Sequence, residues 1–149
     1  ICAGYQLLGE YFPNAAGAAV PGLELVDLRT DRLPSRAVGE LTAVPLHADI
    51  PIITGYENHG GATHLGEGVS PLARVQHGVG NGDGTEGVLH GRIIGTYAHG
   101  PGLARNPRLA EVLLGWAVGT DLPAICPEDV TALREDRLAA AAATAGHQK

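Results

Sequence analysis

Two residues in this chain combine a reactive side chain with a local setting that could use it: Cys2 and His99. Ile1-Cys2-Ala3-Gly4 reads as the end of a strand that turns at once into a helix. On such a turn a side chain stands exposed at the carboxyl edge of a sheet, the helix N-terminus favours a thiolate, and the backbone N–H of the next residue, Ala3, can face an oxyanion. Gly4 would let the following backbone approach closely, with no Cβ in the way. A lone cysteine is also consistent with a small buried hydrophobe. His99 supplies the second site: it follows the apolar stretch "GRIIGTYA" and precedes a Gly-Pro loop. Parallel strands bring such ends to one edge of a sheet, where a Cys and a His make a nucleophile and base pair.

The other histidines read differently. His47, His77 and His90 sit in or beside strand patterns and are expected to pack or to face solvent, while His147 lies in a polar tail. Neither His-x3-His nor Cys-x2-Cys spacing occurs, so no metal is expected. The chain of 149 residues is 44% hydrophobic and 17% charged, enough for one domain with a core. Ten scattered Lys and Arg within a net charge of −6 argue against nucleic acid as the main partner. No apolar run approaches the roughly 20 residues that cross a bilayer. Two cysteines, Cys2 and Cys126, do not make a disulfide framework, which fits a reducing cytoplasm.

The elements that must hold the pair follow from pattern. Residues 3–12 are helix-compatible up to Pro13-Asn14. "LELVDLRT" (23–30), "AVGELTAVPL" (37–46) and "PIITGYENH" (51–59) read as strands, and residues 73–100 as two strands around Asn81-Gly82-Asp83-Gly84. Asn106 as N-cap, Pro107 at the first helical position and Leu109, Val112, Leu113 and Trp116 on one face predict a helix ending near Gly119. A last helix starts near Pro127, with Glu128 and Asp129 in its first turn. Strands alternating with helices predict an α/β domain with a mostly parallel sheet flanked by helices.

With these residues in place, "ICAGYQLLG", with its Cys-x-Gly-x-Gln, resembles the nucleophile elbow of class I glutamine amidotransferases. "GTYAHGP", "GYENHGGATHLG" and "RAVGEL" narrow the resemblance to the cobyric-acid-synthase-like branch, and within it to the glutaminase subunits that serve lipid II amidation. The resemblance implies a flavodoxin-like fold and hydrolysis of L-glutamine, with Cys2 as nucleophile and His99 moving protons as its dyad partner. It also implies that Arg36 holds the substrate and that the Ala3 N–H stabilises the oxyanion. A heterodimer is implied as well, with a Mur-ligase-like partner that carries ATP and metal; none is expected on this chain. The amidotransferase portion of a cobyrinic or cobyric acid synthase is the alternative. A non-catalytic amidotransferase-like subunit and a peptidase-like hydrolase are the readings from other classes. The family's usual glutamate two residues beyond the histidine is missing from His99-Gly100-Pro101, which leaves Glu57 and Asp83 as candidate orienting carboxylates. Lacking methionine and opening on the elbow, residues 1–149 are expected to be the C-terminal portion of a single truncated domain, the second oxyanion donor lying in an upstream glycine-rich loop.

Overall fold

The computed structural model describes residues 1–125 and 127–145. Cys126 and His147 lie outside the described residues. The centre of the fold is a long hairpin of β3 (Leu28–Pro45) and β4 (Ile53–Leu65). Burial alternates along β4, so that Glu57, His59, Gly61 and Thr63 face inward while Tyr56, Asn58 and His64 face out. The pairing carries a bulge between Arg32 and Ala37, which places Arg36 where the strand bends. β5 (Ala73–His77) joins the other side of β3 and β6 (Thr85–Glu86) joins β5, giving the order β4-β3-β5-β6. β1 (Tyr11–Pro13) with β2 (Ala19–Pro21), and β7 (Val88–His90) with β8 (Ile93–Gly95), form two smaller ribbons.

The α/β reading holds, but every strand pair among the described residues is antiparallel, where a mostly parallel sheet is expected. Connection length decides this. β3 and β4 are joined by residues 46–52 alone, and a parallel return needs a crossover of roughly a dozen residues or more. Period-two alternation is the same for either direction.

The first helix is also shorter than its pattern. α1 spans Ala3–Gln6 only. The carbonyls of Leu7, Leu8 and Gly9, which a longer helix would leave to its own N–H groups, accept from Leu23, Leu25, Val26 and Glu24 instead. The stretch expected as a strand from residue 23 is therefore irregular up to Leu28. Two glycines let α1 close on the sheet. A Cβ on Gly95 would lie 2.2 Å from Tyr5 Cδ2, and one on Gly61 would lie 2.3 Å from Gln6 Nε2. Gly4 is not such a position, since a Cβ there would meet nothing within 4 Å.

α2 (Gly102–Arg105) and α3 (Pro107–Val118) follow the His99 loop, and α4 (Glu128–Ala145) packs on the hairpin. α3 ends at Gly119 in the left-handed conformation, as expected. Asn106 occupies the N-cap position but makes no side-chain cap. Its amide instead takes both backbone groups of Thr54, accepting from the N–H at 3.0 Å and donating to the carbonyl at 2.7 Å. It is 1% exposed, and beside a local bond from Nδ2 to Gly102 O at 2.6 Å its long-range bonds tie the start of α3 to β4. No described helix is long and apolar enough to cross a membrane.

Candidate active site

Cys2 sits at the turn into α1 with φ 51° and ψ −117°. The left-handed region is unfavourable for a residue with a Cβ, by about 1–3 kcal/mol, and such strain persists only where surrounding bonds over-determine it. Here they do. The Cys2 N–H donates to Thr96 O at 2.9 Å, and its carbonyl accepts from Tyr5 at 2.8 Å and Gln6 at 3.0 Å. Half-buried, Cys2 packs against the cluster of Tyr5, Val26, Leu28, Val88 and Tyr97. The Ala3 N–H, first of α1, has no acceptor among the described residues.

The same segment leads to His99. Three residues beyond the carbonyl that holds Cys2, His99 bridges β4: its N–H donates to Tyr56 O at 2.8 Å. The ring Nδ1 lies 3.1 Å from the same carbonyl. A carbonyl only accepts, so Nδ1 carries the proton and Nε2 the lone pair. Tyr56 O thus fixes the orientation of the ring at Nδ1. Neither expected carboxylate reaches His99. Glu57 pairs with His59, and Asp83 accepts from the N–H and hydroxyl of Thr85.

A polar network that the sequence patterns did not single out links α1 to Tyr97 and the β3–β4 hairpin. Gln6, last residue of Cys-x-Gly-x-Gln, donates its amide to the Tyr97 hydroxyl at 3.1 Å. The Tyr97 hydroxyl lies 2.7 Å from Thr63 Oγ1, and Thr63 Oγ1 lies 3.1 Å from Thr30 Oγ1. The Tyr97 ring stacks on His59 with centroids 3.6 Å apart. His59 Nδ1 faces Gly61 O at 3.0 Å and Nε2 faces Glu57 Oε2 at 3.3 Å, so both ring nitrogens are engaged. The available signal was the alternation of "GYENHGG", which sets Glu57, His59 and Gly61 on one face.

Two buried carboxyls here shift in opposite directions. Burial opposes the charge on Glu57, but bonds from His59, the Gly80 N–H and the Val79 N–H outweigh it and hold the carboxyl below the usual range. Burial pushes Glu86 up, and bonds from Thr96 and Tyr97 only partly offset it. A lowered carboxyl binds fewer protons in the native than in the unfolded state, so Glu57 stabilises the fold above the ordinary carboxylate range. That contribution disappears as pH falls through the lowered value. Glu57→Gln is expected to cost about 1–3 kcal/mol near neutrality and to flatten the loss of melting temperature between about pH 5 and 3. An unchanged acid limb in a thermal series would assign that limb to other carboxyls.

Arg36 stands apart from the pair. Exposed at the bulge of β3, it donates from Nε to Asn58 Oδ1 at 2.7 Å and from Nη2 to Asn58 O at 3.3 Å. No carboxylate pairs with it among the described residues. It lines a cleft of about 460 Å³ with Glu57, Gly78 and Val79, and neither Cys2 nor His99 is among the lining residues. The link between the two places is β4 itself, which gives Asn58 to Arg36 and Tyr56 to His99.

A strained cysteine at a helix mouth, held by an irregular segment that ends in a tautomer-fixed histidine, is an arrangement suited to acyl transfer through a thiol. Residues 1–107 match the CobB/CobQ-like glutamine amidotransferase domain, and the chain belongs to that family. It is similar to the GatD subunit of the glutamine-hydrolysing lipid II isoglutaminyl synthase of Streptococcus pneumoniae. That match is 35% identical over 137 residues, covering 87% of this chain and 52% of the relative. The Staphylococcus aureus GatD is 36% identical over 117 residues, covering 76% and 46%. A cobyric acid synthase from Sphingopyxis alaskensis is 35% identical over 121 residues, covering 76% of this chain and 23% of the relative. The chain thus spans about half the length of the GatD relatives it matches.

Proposed function

We propose that this chain carries the glutaminase half-reaction of a lipid II amidating enzyme. His99 Nε2 takes the Cys2 proton, and Sγ forms a bond to the side-chain carbonyl carbon of L-glutamine. The negative oxygen of the adduct receives the Ala3 N–H. His99 then returns the proton to the departing nitrogen, the C–N bond breaks, and ammonia leaves a thioester on Cys2. Water attacks the thioester with His99 accepting its proton, and glutamate departs as the thiol is restored. General acid–base transfer of this kind contributes about 10²–10⁴-fold. The observation that carries this reading is the shared segment 96–99, whose one end bonds the Cys2 turn and whose other end is His99.

The ammonia goes to a Mur-ligase-like partner of the MurT type, which uses ATP to activate the α-carboxyl of the D-glutamate of lipid II, so that ammonia converts that residue to D-isoglutamine within lipid II, in the cytoplasm. The GatD relatives support this acceptor, the pneumococcal one aligning over more of the chain than the cobyric acid synthases do. The second reading, amidation in a cobyrinic or cobyric acid synthase, rests on those latter relatives. The test is ammonia release from glutamine by the full-length protein, with affinity capture of its partner. A Mur-ligase-like chain in the capture supports the first acceptor. No glutamine-dependent ammonia overturns both.

Arg36 belongs to glutamine binding in this reading, because an exposed guanidinium without a carboxylate partner can fork onto the substrate α-carboxylate. Arg36→Lys keeps charge and loses the fork. It is expected to raise KM for glutamine about tenfold, the loss of roughly one charge-assisted bond, with kcat nearly unchanged. Free ammonia should restore amidation by the complex. Failure of that rescue would place Arg36 at the subunit interface.

A further inference from the structure

Glu86 is fully buried in β6, yet no step of the reaction uses it. Its Oε1 accepts from the Tyr97 N–H at 2.9 Å and from the Thr96 hydroxyl. With its proton donated to Glu86, Thr96 Oγ1 accepts from the Ala98 N–H at 2.9 Å. Thr96 O is the acceptor of the Cys2 N–H. One carboxyl oxygen therefore organises three consecutive residues. Those residues restrain the strained Cys2 turn on one side and run into His99 on the other. The second oxygen, Oε2, is buried without a hydrogen-bond partner among the described residues. An ionised carboxylate left so would be costly, and a neutral acid, with Oε1 as its carbonyl oxygen, fits the bonds made.

We propose that Glu86 is the positioning residue of the Cys2–His99 pair: as a buried acceptor for Thr96 and Tyr97, it sets the path of residues 96–98 and through them the approach of the imidazole to the thiol. This rests on the glutaminase reading. Its energetic basis is geometric, since a displacement of about 1 Å between reacting groups costs on the order of 10²-fold in rate. Arg36 and the face it presents are untouched by Glu86, so binding and turnover should separate.

The experiment compares Glu86→Gln, Glu86→Leu and Thr96→Val in the full-length protein with its partner. Gln keeps the Oε1 acceptor and has no charge, so glutaminase kcat is expected within about threefold of the parent. Leu fills a similar volume without an acceptor, and kcat is expected to fall about 10²-fold with KM for glutamine unchanged. Thr96→Val removes one of the two bonds to Glu86 Oε1, and with it the acceptor of the Ala98 N–H, with little change in shape, and an intermediate fall in kcat is expected. It also serves if the Leu variant does not fold. Alkylation of Cys2 by iodoacetamide at fixed pH, read by mass spectrometry, is expected to change at least threefold in the Leu or Val variant. Unchanged kcat and unchanged Cys2 alkylation in a folded Leu or Val variant overturn the proposal. So does a Gln variant as impaired as Leu, which would assign Glu86 a proton-transfer role. Alkylation needs no turnover, so a protein without glutaminase activity fails the functional reading while still testing whether Glu86 controls the cysteine.

Discussion

Cys2→Ser in the full-length protein is expected to abolish glutamine-dependent ammonia release, a loss of about 10⁴–10⁶-fold, with the melting temperature nearly unchanged. The size of the effect follows from the nucleophile. A thiol forms the attacking anion and leaves the thioester far more readily than a hydroxyl does. The small structural effect follows from how the turn is held. The bonds that keep Cys2 at φ 51° run from its own N–H to Thr96 O and from its carbonyl to Tyr5 and Gln6, and serine keeps all three. An electrophilic glutamine analogue should add to Cys2, located by peptide mass spectrometry, and leave Cys126 free. An adduct on Cys126, or a Cys2→Ser protein that still turns over, removes the nucleophile assignment and the mechanism with it.

Legibility in the sequence tracked how local each determinant was. α3 was readable because its helix start, apolar face and terminal glycine all lie within residues 106–119. Cys2 and His99 stand out as candidates in the sequence because each reactive residue is contiguous with the apolar pattern that flags it. The length of α1 was not, because its end is decided by N–H groups at 23–26 that arrive from another part of the chain. Strand direction was hidden for a similar reason: alternation reports which face is buried and says nothing of the neighbour. Asn106 shows the same effect on one side chain. Its type fits a cap, and Thr54, distant in sequence, claims the amide first.

Glu86 was the hardest to see. "GDGTEGV" has the composition of an exposed turn, and the residue becomes buried only because residues 96–97 lay their N–H and hydroxyl onto it. Glu57 misled in the opposite sense. Its proximity to the motifs invited a role in orienting His99, whereas the inward face of β4 gives it to His59. What remains for His99 is a backbone carbonyl. A carbonyl fixes the tautomer without adding negative charge beside the imidazole, so the site needs no buried carboxylate at that position.

His99→Ala is therefore expected to lower kcat by about 10²–10⁴-fold, with glutamine KM and melting temperature little changed. The ring is half-buried and its one described bond is Nδ1–H to Tyr56 O, worth about 0.5–1.5 kcal/mol. The backbone bond from the His99 N–H to the same carbonyl survives the substitution. His99→Asn sharpens the test. Asparagine places an amide donor near the Nδ1 position and offers nothing at Nε2, so it should be as inactive as alanine. Recovery in the asparagine variant would mean that the contact with Tyr56 matters and proton transfer does not. Full activity in the alanine variant would pass the base role to another histidine. One alternative, His59, has both ring nitrogens engaged and is 2% exposed, so taking over would require it to give up Glu57 or Gly61. A parallel His59→Gln variant separates these outcomes. Loss of stability with turnover per folded molecule retained keeps His59 in the framework, and the thiol's proton then has Nε2 of His99 as its acceptor.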